Sequence, residues 1–137
     1  MLSRRSSLIL LMAYLTFDWD DVDISDTIVI TALQELQDRF GYGNVWYRIS
    51  SSQTGLHVVI ARLEYSFATG TMVLEPNLVS PEVQIKIRQE FAEEPWFLEC
   101  KGRLISDSVR TQHGFRTGRL FWAKNDNVAK EWQLYAE

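Results

Sequence analysis

The sequence predicts an α+β domain of the ferredoxin-like or RRM-like kind: a split βαβ (βαββαβ) antiparallel sheet with its helices on one face, extended by a C-terminal hairpin. Three observations predict it. A run of period-two alternation comes first. Two stretches of helical period, each with start and stop signals, flank a pair of β-rich runs joined by a polar turn. More β-rich sequence closes the chain.

From Ala13 to Trp19, Leu15, Phe17 and Trp19 fall on one face and Tyr14, Thr16 and Asp18 on the other, as a half-buried first strand requires. Ser25 or Asp26 can cap a first helix carrying Val29, Leu33, Leu36 and Phe40, which Gly41 and Gly43 end. Val45 to Ser50 and Gly55 to Leu63 are rich in β-formers around a Ser/Gln/Thr/Gly turn and read as a hairpin of strands two and three. Glu64 to Val79 is read as connection. Ser80 and Pro81 then make an N-cap and first-turn pair for a second helix with Val83, Ile87 and Phe91. Trp96 to Leu98 and Arg103 to Ile105 are expected to form a fourth strand in one or two pieces. Gly118 to Lys124 and Glu131 to Tyr135 are expected to close a hairpin around Asn125 and Asp126.

The chain has 137 residues, is 46% hydrophobic and has a net charge of −4, which places it among single domains with their own core and against nucleic-acid binding through bulk charge. One cysteine, Cys100, excludes an internal disulfide and a Cys-rich metal site, and suits the reducing cytoplasm. Residues 1–11 combine a basic start with an apolar run but reach no small-residue cleavage site and are too short to span a bilayer. They read as a disordered or mis-started leader, with Met12 an alternative start, and residues 12–137 as a single domain without membrane attachment. No repeat or low-complexity linker interrupts it.

In this topology the first and third strands are antiparallel neighbours at the centre of the sheet, so the end of one meets the start of the other. Asp18 and Asp20 end strand one on the face that Leu15 and Phe17 do not use, and His57, near the start of strand three, is expected on the same open face. Two carboxylates about 7 Å apart along a strand can share a hard divalent cation, Mg²⁺ or Mn²⁺, of the kind phosphoryl transfer uses. Ser50, Ser51, Ser52 and Gly55 in the adjoining turn could cradle phosphate. Arg110 belongs to the one locally basic stretch, Arg103 to Arg119, and could face a triphosphate or nucleic-acid backbone. Of Trp46 and Tyr47, alternation lets only one face outward to stack on a base.

These residues carry a resemblance. YLTFDWDD followed by SSSQTGLHVVI resembles the first two motifs of the archaeo-eukaryotic primase superfamily, hhhDhD and small-x-His, over roughly Tyr14 to Ile60. The resemblance implies that Asp18 and Asp20 bind metal and that His57 contacts nucleotide phosphate. It implies a third acid after an apolar residue on a later strand, for which Asp107 is the match and Glu99 a competitor. It also implies a nucleoside triphosphate and nucleic acid as partners, DNA before RNA, with a replication protein as a further partner, and suits a viral or plasmid setting. The chain is shorter than catalytic primase domains and has no Cys/His cluster for the zinc insert they often carry, which fits a minimal or degenerate palm.

Two functions are therefore expected to compete. One is a primase-like nucleotidyltransferase in DNA replication, with Asp18, Asp20, His57 and Asp107 as its catalytic set. The other is a non-catalytic protein, either an RRM-like single-strand binder or a degenerate palm with a structural, partner-binding role. A rolling-circle endonuclease of similar topology needs two metal-binding histidines separated by one apolar residue and a nucleophilic tyrosine, whereas only His57 and His113 exist, far apart.

Overall fold

The computed structural model describes residues 12–50, 53–113, 123–124, 127–128 and 132–136. Residues 1–11 lie outside them, as do Ser51, Ser52, residues 114–122, Asn125, Asp126, residues 129–131 and Glu137. The described elements are β1 (Ala13–Tyr14), β2 (Thr16–Asp20), α1 (Thr27–Phe40), β3 (Val45–Ile49), β4 (Gly55–Ser66), β5 (Thr71–Pro76), β6 (Leu78–Val79), α2 (Pro81–Ala92), α3 (Lys101–Gln112), β7 (Ala123–Lys124), β8 (Asn127–Val128) and β9 (Gln133–Leu134).

The architecture is α+β with an antiparallel sheet, as the sequence predicts. Its strand order is β2-β4-β3-β9, with β5 attached to the outer half of β4. The first and third expected strands, β2 and β4, are antiparallel neighbours as expected, but only β4 is central: β2 lies at the edge of the sheet because the expected fourth strand does not form beside it. Leu15, Phe17 and Trp19 meet Val45, Leu56, Val58 and Ile60 on one face, where Val29, Leu33 and Leu36 of α1 and Phe91 of α2 pack against them. Phe17 and Phe91 meet edge to face at 5.5 Å, the geometry that aromatic quadrupoles favour.

Helix starts follow local chemistry in part. Ser80 Oγ accepts from the Val83 N–H at 3.2 Å and Pro81 takes the first turn, as expected. Asp26 occupies the N-cap of α1, but its carboxylate accepts from the Asp23 N–H at 2.9 Å and makes no cap bond to the helix. At the other end of α1, Gly41 takes φ +99°, a region that favours glycine.

The stretch read as connection between Glu64 and Val79 is mostly strand. β4 continues to Ser66, turns through Gly70 and returns as β5. In α2 the buried stripe is Gln84, Arg88 and Phe91, whereas Val83 is exposed. Of the three apolar residues expected to face the core, Phe91 is buried and Ile87 packs against the core, while Val83 gives way to a buried Arg88 whose charge is matched. Its Nε donates to Glu99 Oε2 and its Nη1 to Asp107 Oδ2, each at 2.7 Å, and Nη1 also donates to Gln84 Oε1 at 2.9 Å.

The expected fourth strand is a correction. Trp96 to Leu98 form no strand, and all that remains at the β2 edge is a single bridge between Trp19 and Glu99. Arg103 to Ile105 lie in α3, which packs on α2 and buries Leu104 and Asp107 one turn apart. Asp107 is therefore helical, a position that the third strand acid of the resemblance does not have. The closing hairpin is also re-paired: Ala123–Lys124 pair with Asn127–Val128, but Gln133–Leu134 cross to the edge of β3. Gly118 to Trp122 lie outside the described residues. Among the described residues, no helix is long and apolar enough to cross a membrane.

Candidate functional site

A polar row runs across β2, β4 and β3 on the face away from α1 and α2. Asp18 of β2 stands opposite His57 of β4, and His57 stands opposite Arg48 of β3. Directly opposed residues of antiparallel strands share a face, so the three side chains are neighbours by register alone. The Arg48 Nε–H donates to His57 Nδ1 at 3.2 Å, which assigns the ring proton to Nε2 in the neutral imidazole. Nε2 lies 3.7 Å from Asp18 Oδ1, beyond hydrogen-bond range.

The expected open face is covered at this row. His57 is 7% exposed and Arg48 2%. Among the described residues, Arg103 reaches over from α3 to donate from Nη2 to Thr16 Oγ1 at 3.0 Å, and the Trp132 ring lies over the Arg48 guanidinium at 4.3 Å. Asp18, with 22% of its side chain exposed, and the exposed Asp20 are where the row meets solvent.

Electrostatics follow from this cover. Burial, then the nearby charges of Arg48 and Arg103, push His57 down to about 4, so it is neutral at physiological pH. Burial lowers Arg48 to about 10 and leaves it charged. Arg103 is also lowered by burial, against the pull of Glu99, Asp107 and Asp18. The row therefore holds two guanidinium groups around a neutral Nε2–H donor, with a carboxylate at its mouth.

The β2 end is clamped from the other edge. The Asp18 N–H donates to Glu99 Oε1 at 2.7 Å, and the Asp18 carbonyl accepts from the Cys100 N–H at 2.9 Å. Burial pushes the Glu99 carboxyl up to about 6 against the pull of Arg88, so at neutral pH it is an anion. Glu99 thus supports the backbone of Asp18 and turns both oxygens inward. Asp107, the other candidate for a third acid, is 2% exposed and bound to Arg88, with Arg110 Nη1 donating to its Oδ1 at 3.3 Å. Neither Asp107 nor Arg110 belongs to the Asp18–His57–Arg48 row.

Gly55 stands opposite Asp20, and a Cβ there would lie 2.3 Å from the Trp19 carbonyl oxygen. Its role in the structure is close strand approach. Ser50 is buried, with its N–H donating to the Gly55 carbonyl at 2.9 Å and its own carbonyl accepting from the Gln53 N–H at 2.8 Å. Ser51 and Ser52 lie outside the described residues, so the expected phosphate cradle is described only at its two ends.

No family model, curated protein or solved structure matches this chain.

Among the described residues, no group of three or more His, Cys, Asp or Glu side chains comes together to hold a metal. Asp18 and Asp20 remain as a two-carboxylate donor set on one strand face, which suits Mg²⁺ or Mn²⁺ when substrate phosphates supply further oxygens. Sequence reasoning missed Arg48, although a hairpin turn from Ser50 to Gly55 already sets it opposite His57. It also missed Trp132, for which no local pattern announces that β9 pairs with β3.

Proposed function

We propose that the protein is a primase-like palm that binds a nucleoside triphosphate, or a nucleic-acid end, with the help of Mg²⁺ or Mn²⁺. DNA replication in the cytoplasm is the setting this reading suits, with a replication protein as partner. The observation that carries it is the Asp18–His57–Arg48 row: carboxylates at the solvent end, then a neutral imidazole N–H, then a buried guanidinium. Asp18 and Asp20 would hold the cation, which when bound offsets phosphate charge and polarises the reacting oxygens. His57 would donate Nε2–H to a phosphate oxygen, because Arg48 fixes its tautomer. Arg48 and Arg103 supply the positive field that makes this corner attractive to an anion in an acidic chain.

Calorimetric titration with a non-hydrolysable nucleoside triphosphate, with and without Mg²⁺, tests the reading. Binding is expected only with the metal, and Asp18→Asn should abolish it. His57→Ala should weaken triphosphate binding about 10-fold, one lost hydrogen bond to a charged group, while leaving the metal titration alone. Metal-independent binding that ignores Asp18→Asn would remove the proposal.

A second reading, a degenerate palm that binds without catalysing, is favoured by one observation. Both candidates for a third acid, Asp107 and Glu99, are bound to Arg88 and turned away from solvent. Incubation with primed template, nucleotides and Mn²⁺ separates the two: product extension supports transfer, whereas metal-dependent binding without extension supports the binding palm.

A further inference from the structure

β4 outruns the sheet. Up to Ile60 it has β2 or β3 beside it, but from Ala61 to Ser66 its only strand partner among the described residues is β5, so these residues and Thr71–Pro76 form a two-stranded arm. At the usual rise it projects roughly 20 Å. One of its faces is wholly apolar. Leu63 stands opposite Leu74 and Tyr65 opposite Met72, while Phe67 in the turn meets the Tyr65 ring edge to face at 4.9 Å. The opposite face holds Arg62, Glu64 and Glu75.

This face is exposed to a degree that isolated apolar residues are not. Leu63 is 51% exposed, Tyr65 52%, Phe67 93% and Met72 56%. At 150–250 Å² for a large side chain, the four present roughly 500 Å² of contiguous apolar surface, near the upper limit for monomeric proteins. An uncovered two-stranded hairpin is marginally stable in water, so the arm needs a cover to persist.

We propose that the cover is a second copy of this chain, with the two arms packed apolar face to apolar face about a two-fold axis. Two such faces remove about 1,000 Å² from water before any rim contact is counted, which reaches the area a specific interface requires. The face also contains no charged side chain, so a copy brings no unpaired charge into the contact. A nucleic acid or an anionic membrane finds nothing cationic on this face to hold it. The inference is independent of the function proposed for the Asp18–His57 row.

Sedimentation equilibrium from about 1 to 100 µM tests it, in the concentration range where interfaces of this size dissociate. The chain is expected to dimerise, and Phe67→Asp or Leu63→Lys to weaken the dimer at least 10-fold with an unchanged far-ultraviolet spectrum. Phe67 sits in an exposed turn, so its replacement leaves the core untouched. As a second measure, arm amides of the unmodified chain should gain protection from hydrogen exchange as concentration rises. A chain that stays monomeric throughout, a dimer that ignores both substitutions, or a monomer that instead adheres to phosphatidylcholine vesicles through Phe67 would each overturn the proposal.

Discussion

The His57 imidazole stands opposite Asp18 and is buried, with Arg103 and Trp132 reaching its neighbours Thr16 and Arg48 from elements far along the chain. Burial has a thermodynamic consequence. The folded pKa of about 4 lies below the unfolded value near 6.5, so the unfolded chain binds the extra proton between them. His57 therefore contributes full stability above about pH 6.5, and that contribution is lost as pH falls towards 4. The loss reaches roughly 3 kcal/mol, less whatever relaxation of the cover permits. Raising of the Glu99 pKa works in the opposite sense between its usual value and about 6, so the clean measurement is a difference. Denaturant unfolding of the unmodified chain and His57→Gln at pH 7 and pH 5 should show the gap between them narrow in acid. A constant gap would mean that the imidazole is not desolvated. At the mouth of the row, Asp18→Asn with Asp20→Asn in metal-free buffer should leave the melting temperature within about 4 °C of the original, or raise it, because like charges held close cost stability. A much larger drop would show the aspartates to be structural.

Elements were legible wherever their signals were local. The alternation of β2, the Ser80–Pro81 start of α2 and the β3–β4 turn all lie within a few residues, and each element formed where those signals stood. What was illegible depended on partners. Arg103 to Ile105 reads as strand because Leu104 and Ile105 are β-compatible, and Asp107, the polar residue that anchors the helix, reads as the third acid of the resemblance until Arg88 is known to face it. Removing one member of that network leaves the others charged and buried. Arg88→Met should thus cost roughly 3–5 kcal/mol, whereas replacing Arg88, Glu99 and Asp107 together by apolar residues of similar volume should restore most of it. Chemical denaturation of the single and triple variants measures both. If the single change is as mild as the triple, the network is not charged in the folded state. Gly55→Ala probes a different contact. Its Cβ would press into the Trp19 carbonyl and force β2 from β4 beside Asp20, for a loss of about 1–3 kcal/mol. An unchanged midpoint would show that this edge of the sheet gives way easily.

At the scale of the whole molecule, the sheet is closed by the end of the chain and not by the strand that the split βαβ pattern expects. β9 lies beside β3, at the edge opposite β2, so β2 and the last described strand bracket the same sheet. Contacts from this end reach three layers. The Tyr135 N–H donates to the Val45 carbonyl at 2.9 Å and its hydroxyl to Gln34 Oε1 at 3.1 Å, while Trp132 covers Arg48. Gln37 Nε2, at 3.4 Å from the Tyr135 carbonyl, ties α1 to the same residue. Contacts of such sequence separation carry a large loop-closure cost and hold only when the rest of the sheet is in place, so cooperative unfolding should depend on them. A chain ending at residue 131 loses the burial of Tyr135, worth about 1.5–3 kcal/mol, and leaves Arg48 and Gln37 without these contacts. The expected result is a drop of at least roughly 3 kcal/mol in denaturant unfolding, with Tyr135→Phe costing about 1 kcal/mol by loss of the hydroxyl bond alone. If truncation leaves the midpoint where it was, β9 is an appendage and the three-stranded core folds without it. If stability falls as expected, the cover over Arg48 and the closing edge of the fold are one device, and the exposure of the candidate site is set by the last strand.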